Sequence, residues 1–287
     1  MDKPKKNQIN VTVLIPIHSY DTNNFDAYLT NAFKSILNNS TLPERVMIVA
    51  PRTVVDYVDQ LLLKGISLLD FYDQLTVEFI VNDSNKTDFA SQMNIGAVQI
   101  STEYFSFLEF DDEYSDLWFR NVGKYMEEYP EVSAYLPIIS DANEEKKFLG
   151  YTNEIAWAYE FTDKHGIIDA ETLKDYPNFN PNGMVMRVKD FLRIGGYKSN
   201  IKLAFNLEFL LRACDQALQI MVIPKIGYQH TNMRTDSLFW DYKEGKNKLT
   251  PEESEFWMEQ ARKEFYYADD RPVIYAPKDD ALPKDIK

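Results

Sequence analysis

The chain has 287 residues, 45% of them hydrophobic and 14% aromatic, and its formal net charge at pH 7 is −14. This length permits one large α/β domain or two smaller ones. The negative charge argues against a general duplex-DNA binder, which needs a basic surface, and against docking on an anionic membrane. Cys214 is the one cysteine, so no disulfide framework or cysteine zinc site is expected. Because the sequence has neither an apolar signal segment nor a run of roughly 20 apolar residues, it predicts a cytoplasmic protein without a membrane span.

The first half of the chain alternates short apolar runs with helical patterns. The apolar runs predict four strands, at 11–16, 45–50, 76–81 and 104–108. Runs this short, without polar alternation, are typical of strands buried on both faces of a parallel sheet. The clearest helix between them begins near residue 24 and carries one apolar stripe: Phe25, Tyr28, Leu29, Ala32, Phe33, Ile36 and Leu37. Weaker helical patterns cover 54–63 and 90–100, and the alternation predicts a doubly wound, mainly parallel α/β sheet.

The second half of the chain is less regular. Helices are predicted around 117–129, 189–194 and 205–218, and strands at 132–138, 184–188 and 220–223. Residues 142–182 give no clear pattern. A further helix opens at Thr250 with a capping box and Pro251 in its first turn, and Trp257, Ala261 and Phe265 share one of its faces. This face predicts packing on the domain or on a second copy of the chain, and a tail rich in Pro, Lys and Asp follows.

The most informative motif is the acidic sequence Glu109-Phe110-Asp111-Asp112, which follows the fourth predicted strand directly. The chain holds 45 Asp and Glu residues, so acid clusters arise often by chance. The position of this one is informative because ligands of open α/β sheets bind just beyond the carboxyl ends of the strands. Hard oxygen ligands at such a place suit Mg²⁺ or Mn²⁺, usually together with substrate phosphates.

The order of these elements resembles the family-2-like glycosyltransferases of the GT-A fold, over roughly residues 9–240. The matching pieces are Val13-Leu14-Ile15-Pro16, Asn94-Ile95-Gly96, Phe107-Leu108-Glu109-Phe110-Asp111-Asp112, Arg193-Ile194-Gly195-Gly196-Tyr197, Arg212 and the segment 224–230. The resemblance implies a GT-A-like (Rossmann-like) domain over 1–240. Its nucleotide-binding half would cover 9–112 and its acceptor half 113–240. Residues 241–287 would then form a C-terminal helix and an extended tail.

The resemblance also implies an activity and a set of site residues. It implies a metal-dependent enzyme that moves a sugar from a nucleoside-diphosphate donor to a hydroxyl acceptor, with Mn²⁺ or Mg²⁺ as cofactor. Asp111 corresponds to the metal ligand, Glu109 to a residue that faces the ribose or the metal, and His230 to a further metal or diphosphate ligand. The remaining nucleotide-side candidates are Pro16, His18, Asp83, Lys86 and Asn94, and Arg234 is a further cation that could assist the diphosphate.

The sequence departs from the family pattern in two places. Ala50-Pro51 replaces the acidic pair that usually reads uracil at the end of the second strand, which leaves Asp83 as the substitute candidate for reading the base. Asn206 stands where inverting members carry the Asp that serves as general base, and an amide cannot accept a proton near neutral pH. Glu208 is therefore the predicted base of an inverting transfer, with the helix starting near Leu207 so that this side chain turns toward the site.

Three other functions stay open from the sequence. Asn206 is compatible with a catalytically weak sugar-nucleotide-binding or scaffold protein. A sugar-nucleotide pyrophosphorylase is disfavoured because the first strand leads to Ile15-Pro16-Ile17-His18 and not to a glycine-rich phosphate loop. Sugar transfer to a modified nucleic-acid base is a minor alternative, which the net charge of −14 disfavours. Self-association through the C-terminal helix is also possible.

Overall fold

The computed structural model describes residues 6–18, 20–65, 75–158, 165–234 and 236–266. Its strands are β1 (Asn7–Pro16), β2 (Thr41–Pro51), β3 (Thr76–Asn82), β4 (Tyr104–Phe107), β5 (Glu113–Tyr114), β6 (Ala134–Ala142), β7 (Phe148–Thr152), β8 (Ile167–Ile168), β9 (Val185–Arg187) and β10 (Ile220–Thr231). Its α-helices are α1 (Phe25–Asn38), α2 (Arg52–Gly65), α3 (Phe89–Ala97), α4 (Trp118–Glu128), α5 (Ala170–Asp175), α6 (Val188–Arg193), α7 (Phe205–Asp215), α8 (Leu238–Glu244) and α9 (Pro251–Tyr266). A 3-10 helix covers Glu154–Trp157.

Within the described residues the strands form one mixed sheet in the order β3-β2-β1-β4-β9-β6-β10-β5, with β7 beside β6 and β8 beside β10. The four strands of the first half pair in parallel, as the alternation of strands and helices predicts. The apolar runs of β1, β2 and β4 are buried because helices cover both faces, which have separate apolar clusters, whereas the edge strand β3 is only partly buried. The predicted α/β class with a mainly parallel sheet is confirmed.

The sheet has a switch point between β1 and β4. The chain first moves outward from β1 through β2 to β3, and it then returns to place β4 on the other side of β1. Crevices at such switch points, beyond the carboxyl ends of the strands, are the usual ligand sites of open α/β sheets. The fold therefore brings the residues that follow β1 close to the acidic motif that follows β4.

The Asn-x-Gly motif of α3 is explained by close packing. A Cβ atom at Gly96 would lie 2.5 Å from a methyl carbon of Leu14 in β1, so only glycine lets the helix approach the sheet this closely. Asn94 receives a hydrogen bond from the backbone N–H of Tyr197 (2.9 Å) and donates one to its carbonyl (2.7 Å). Gly196 has φ +63°, and a Cβ there would collide with Asn94. The motif thus clamps the turn after α6 onto α3.

The second half of the sheet combines strands that the sequence predicts with strands from the region 142–182, where it shows no clear pattern. Strand β9 runs antiparallel between β4 and β6, and β7 and β8 lie within the region 142–182. Strand β10 is much longer than the predicted strand at 220–223. It continues past Pro224 because register shifts between Val222 and Tyr228 absorb the proline while pairing with β6 resumes beyond it. This extension carries the chain to His230 at the carboxyl end of the sheet.

Helix α9 packs on the same chain. Trp257 and Ala261 are buried against Ile201 and Ala204 at the start of α7. The predicted capping box is present, since Thr250 accepts a hydrogen bond from the N–H of Glu253 (3.2 Å) and donates its own N–H to the Glu253 carboxylate (2.8 Å). The side chain of Phe265 and the tail from residue 267 lie outside the described residues. The domain boundary at 240 and self-association through α9 stay predictions.

Candidate active site

A cavity of about 480 Å³ lies at the carboxyl end of the sheet, at the switch point. It brings together five of the predicted site residues, and these are His18, Glu109, Asp111, Asn206 and His230. The other predicted site residues do not line this cavity, and these are Pro16, Asp83, Lys86, Asn94 and Glu208.

The acidic motif forms a turn directly after β4. Leu108 still pairs with β1 through its N–H, which donates to the Leu14 carbonyl (3.0 Å), and the N–H of Asp112 then donates to the Glu109 carbonyl (3.2 Å). Phe110 is fully buried below the turn. The apolar residue in the middle of the motif anchors the turn in the core, and the three acids around it line the cavity.

Asp111 lies beside a buried arginine. The Nη1 atom of Arg234 is 3.2 Å from Oδ2 of Asp111, and its Nε atom is 3.0 Å from Asp236. The guanidinium carbon is also 5.3 Å from the ring centres of Tyr28 and Phe110, so aromatic rings and carboxylates fix its position. Burial raises the pKa of Asp111, and the charge of Arg234 opposes that shift.

Asp111 and Arg234 each keep a polar atom that no described residue satisfies. Oδ1 of Asp111 is buried without a hydrogen-bond partner in the described part of the chain. The same holds for Nη1 of Arg234, which is close enough to Asp111 for an ion pair but is not aligned as a hydrogen bond. A buried acceptor and a buried donor without partners are costly, so a ligand that satisfies both would bind favourably here.

Asp112 faces the other side of the turn. It accepts a hydrogen bond from the N–H of Thr231 (2.7 Å) and lies 3.4 Å from the amide nitrogen of Asn182. Burial raises the pKa of Asp112 to about 8, with the neighbouring acids Asp111 and Glu109 adding to the shift and His230 opposing it. These contacts join the acidic motif to the end of β10 and to the loop before β9.

Two polar side chains lie against Glu109. Its Oε1 accepts a hydrogen bond from the Asn182 amide (2.7 Å), and its Oε2 is 3.6 Å from Nε2 of His18. Burial alone would raise the pKa of Glu109, but His18, His230 and Asn182 outweigh burial and hold that pKa below its usual value. The loop that carries Asn182 is fixed in turn by Asn153, which forms two hydrogen bonds with the backbone of Asn180 (2.8 and 2.9 Å).

His230 is oriented by a carboxylate on the neighbouring strand. Its Nδ1 is 2.9 Å from Asp141, which also accepts a hydrogen bond from the hydroxyl of Thr152 (2.6 Å). Burial would lower the pKa of His230, but Asp112 and Asp141 outweigh burial and raise the pKa to about 9. Both carboxylates therefore favour the protonated form of the imidazole.

The donor atoms fit a divalent cation that is shared with a phosphate ligand. Small divalent cations take hard oxygen ligands and are often held by one or two carboxylates together with substrate phosphates. The unpartnered Oδ1 of Asp111 offers one such oxygen. No group of three or more His, Cys, Asp or Glu in the described residues is arranged to hold a metal by itself. Glu109 and His230, the other predicted ligands, line the same cavity but are engaged by Asn182 and Asp141.

The structure contradicts the predicted orientation of Glu208. Helix α7 begins at Phe205 and not near Leu207, so Asn206 lines the cavity and Glu208 points into the core, where it is fully buried. Arg212 holds the Glu208 carboxylate with two hydrogen bonds (2.6 and 2.8 Å), and Lys198 lies 3.0 Å from it. Burial opposes ionisation, but these two cations keep the pKa of Glu208 low. A carboxylate committed to two buried cations is a structural group and not a base facing an acceptor.

The remaining predicted residues lie around the nucleotide half. Pro16 is buried at the end of β1. Asp83, after β3, is exposed and paired with Arg52 through two contacts (2.5 and 2.8 Å), which lower its pKa. The backbone carbonyl of Lys86 accepts from Asn82 in the same loop (2.9 Å). Asn94 has the clamping role described above, so its predicted contact with a nucleotide is not part of this arrangement.

The family is decided by a sequence comparison. The family model described as glycosyl transferase family 2 matches residues 12–195, which is more than half of the chain. The chain belongs to glycosyl transferase family 2. It is a glycosyltransferase, and its reaction is sugar transfer from a nucleotide-sugar donor. No curated protein matches it by sequence.

Solved structures of S. aureus TarS 1–349 share the fold. The complex with UDP-GlcNAc has a TM-score of 0.65 and 15% identity, covering 92% of this chain and 69% of TarS 1–349. A second TarS 1–349 structure has a TM-score of 0.59 and 14% identity over 90% of this chain and 80% of that one. The complex with UDP has a TM-score of 0.58 and 13% identity over 91% and 73%. At such identities the likeness shows the GT-A fold of the glycosyltransferase.

Two parts of the glycosyltransferase site carry no signal in the sequence. Asn180 and Asn182 line the cavity from the region 142–182, where no pattern was recognisable. Helix α8 also lines the cavity, although no helix is predicted there and the predicted domain boundary at 240 falls within it. For Glu208 a signal was present, because an acid four residues before Arg212 is the spacing of a helical ion pair. No helix in the described part of the chain is long and apolar enough to span a membrane.

Proposed function

We propose that this family-2 glycosyltransferase uses Mn²⁺ or Mg²⁺ to transfer the sugar of a UDP-sugar to a hydroxyl group of its acceptor. The observation that carries the proposal is the ion pair of Asp111 and Arg234 in the cavity, in which Oδ1 of Asp111 and Nη1 of Arg234 have no hydrogen-bond partner among the described residues. A cation–diphosphate complex is a ligand that satisfies both, since it offers a positive charge to the carboxylate and an anionic oxygen to the guanidinium.

The charges around this pair suit a leaving diphosphate. Transfer breaks the bond between the anomeric carbon and the diphosphate oxygen, so negative charge develops on the diphosphate. A divalent cation, when bound, stabilises that charge and orients the donor. Arg234 donates N–H groups to the same oxygens from a position fixed by Tyr28 and Phe110. His230, oriented by Asp141, adds a further hydrogen-bonding group on the wall formed by β10.

The proposal of a uridine donor is supported by the TarS 1–349 complexes, which contain UDP-GlcNAc and UDP. In this chain the usual acidic pair after β2 is Ala50-Pro51. The residues available at the strand ends nearby are Arg52 and Asp83, which pair with each other at the surface. We therefore keep Asp83 as the candidate contact for the base, with Arg52 fixing its orientation.

Asn206 is proposed to bind the acceptor hydroxyl. Its Oδ1 is buried without a hydrogen-bond partner among the described residues, and the residue lines the cavity. An amide oxygen can accept the hydroxyl hydrogen and so orient the nucleophile, although it cannot remove the proton. Inversion at the anomeric carbon remains the predicted outcome.

The test is calorimetric titration of the protein with UDP in the presence and absence of Mn²⁺. We expect Mn²⁺ to increase UDP affinity in the original chain and to have little effect in Asp111→Asn. Asp56→Asn, which changes an exposed acid of α2 outside the cavity, is the matched control and should bind as the original does. Metal-dependent UDP binding that survives unchanged in Asp111→Asn would disprove the assignment of Asp111.

A further inference from the structure

Helix α8 has an unusual composition for its position. Four of its seven residues are apolar or aromatic, and these are Leu238, Phe239, Trp240 and Tyr242. An amphipathic helix normally buries such residues in the core. None of the residues of α8 is buried, and all four line the active-site cavity. The apolar side chains of α8 therefore face the space in which substrates bind.

Polar contacts fix the backbone of α8 at both ends. The hydroxyl of Ser237 caps the helix by accepting the N–H of Trp240 (3.2 Å). At the other end Asp241 accepts hydrogen bonds from the Gly245 N–H through its carbonyl (3.0 Å) and from the Asn247 amide through its carboxylate (2.6 Å). With its backbone fixed at both ends, the helix can present aromatic faces to a ligand at a low cost in conformational entropy.

The cavity has two chemically different walls. Glu109, Asp111 and His230 form a charged wall, which the proposed function assigns to the donor diphosphate. The aromatic residues of α8 belong to the same cavity, together with Asn206, so the acceptor must reach the donor between them. Binding pockets of this kind combine apolar and aromatic contact area with a few polar groups that fix orientation.

The polar groups on the α8 side identify the chemistry of the occupant. Asn206 offers an amide oxygen without a hydrogen-bond partner among the described residues, and the ammonium of Lys243 lies 5.3 Å from the ring centre of Phe239. A sugar ring matches this combination because it has a face of C–H groups for stacking on an aromatic ring and hydroxyls around its edge. An alkyl chain would use the rings but would leave the buried Oδ1 of Asn206 without a partner.

We propose that α8 forms an acceptor subsite for a carbohydrate, with Trp240 as the ring on which the acceptor sugar stacks. This inference rests on the proposed function for the location of the donor. Trp240 is chosen because it is half-buried, and so held in place, while it still borders the cavity. Phe239 is mostly exposed and would serve at the rim.

The test is saturation-transfer NMR with methyl glycosides of glucose, galactose and N-acetylglucosamine as probes, in the presence of UDP and Mn²⁺. We expect saturation of the ring protons of at least one glycoside in the original chain. Trp240→Ala should weaken that binding by about tenfold or more, because aromatic anchors dominate the affinity of such sites. Trp240→Phe should retain part of it. Tyr176→Ala, which removes an exposed ring outside the cavity, should bind as the original chain does.

Three results separate the possibilities. Ring saturation that is absent, or that persists in Trp240→Ala, overturns the subsite. Saturation of hexan-1-ol in place of the glycosides, lost in Trp240→Ala, overturns the carbohydrate class in favour of an alkyl acceptor. UDP affinity measured in the same samples reports on the donor site separately. Normal UDP binding without a stacked sugar refutes this inference alone, whereas absent UDP binding refutes the proposed function.

Discussion

Nη1 of Arg234 lies 3.2 Å from Oδ2 of Asp111, and the other oxygen of the same carboxylate has no hydrogen-bond partner among the described residues. The arginine is 3% exposed and stands between two aromatic rings, so it cannot move away without losing packing. The acid of the motif that is assigned to the metal therefore already has a fixed positive neighbour. This arrangement has opposite consequences for a free cation and for a diphosphate.

Replacing Arg234 by Gln should raise the affinity for Mn²⁺ alone and lower the affinity for UDP. Removing the guanidinium charge removes its repulsion of a cation bound at Asp111, which favours the cation. It also removes N–H donors to the diphosphate, and hydrogen bonds to charged groups contribute about 1.5–3 kcal/mol, which corresponds to a roughly tenfold to hundredfold weaker UDP complex. Electron paramagnetic resonance titration measures the first quantity and calorimetry the second.

Arg193→Gln is the control for this prediction, since Arg193 is an exposed arginine outside the cavity. Arg234→Lys keeps the charge but loses the planar fork, so it should preserve Mn²⁺ affinity better than UDP affinity. If both affinities move in the same direction in Arg234→Gln, the guanidinium does not have the dual role assigned to it.

Asn182→Asp should lower stability in a pH-dependent manner. The amide of Asn182 donates to Glu109 and borders Asp112, so an acid at this position would stand among like charges. Burial and repulsion would raise the pKa of the new carboxyl above its unfolded value. The variant should then keep its stability below that unfolded value and lose it progressively as the pH rises through the folded one.

At pH 8 the free energy of unfolding of Asn182→Asp should be lower than that of the original chain by about 1–3 kcal/mol. For a domain of this size this corresponds to a melting temperature lower by roughly 2–10 °C. Differential scanning calorimetry at pH 5 and pH 8 measures it. Asn85→Asp changes an exposed asparagine outside the cavity and serves as control. Equal melting temperatures of Asn182→Asp and the original chain at pH 8 would show that the amide does not separate the two acids.

Glu208→Gln should lower the stability of the fold. The carboxylate neutralises Lys198 and Arg212, and all three side chains are almost fully buried. Removing one partner of a buried ionic network typically costs about 3–5 kcal/mol because it leaves uncompensated charge. Since the folded-state pKa of Glu208 is lowered, its contribution is present above the unfolded value of about 4.3 and is lost as the pH falls through the folded value.

Thermal unfolding at pH 7 and pH 4 checks this prediction. Glu171→Gln on α5, which changes an exposed acid, should melt as the original chain does. The destabilisation by Glu208→Gln should shrink toward pH 4. A variant that melts normally but loses turnover a hundredfold would restore the role that the sequence suggested for Glu208.

The predicted orientation of Glu208 was wrong because the start of α7 cannot be read from the local sequence. A shift of two residues in the start of α7 decides whether Asn206 or Glu208 lines the cavity, because residues two apart point in nearly opposite directions on a helix. The N-cap position is Ala204, which has no side chain to form a capping hydrogen bond. Without a cap signal the boundary is set by long-range packing, here by α9 on Ile201 and Ala204.

Elements whose burial leaves a strong local pattern in the sequence could be predicted. The run that becomes β4 is apolar because both faces of that strand are covered, and the acid motif follows it because a crevice opens there. The tether from Asn153 through Asn180 to Asn182 has no such pattern. It depends on the side chain of Asn153 reaching the backbone of a loop 27 residues later, and only the folded chain brings these groups together.

The last prediction concerns the position where the family places its base. Asn206 lines the cavity with an unpartnered Oδ1, so an acid of nearly the same shape would face the acceptor hydroxyl directly. General-base assistance typically contributes about 10²–10⁴-fold in rate. Asn206→Asp should therefore increase the turnover of acceptor at pH 7.5, measured as UDP release, while UDP affinity stays the same. Asn206→Ala should reduce turnover because it removes the oxygen that orients the hydroxyl.

Asn200→Asp is the control, since it adds the same charge outside the cavity lining. It separates a general effect of charge from the action of a base. Turnover should rise in Asn206→Asp and not in Asn200→Asp. If Asn206→Asp is slower than the original chain although UDP binding is intact, this position does not face the nucleophile, and the acceptor approaches the donor from another wall of the cavity.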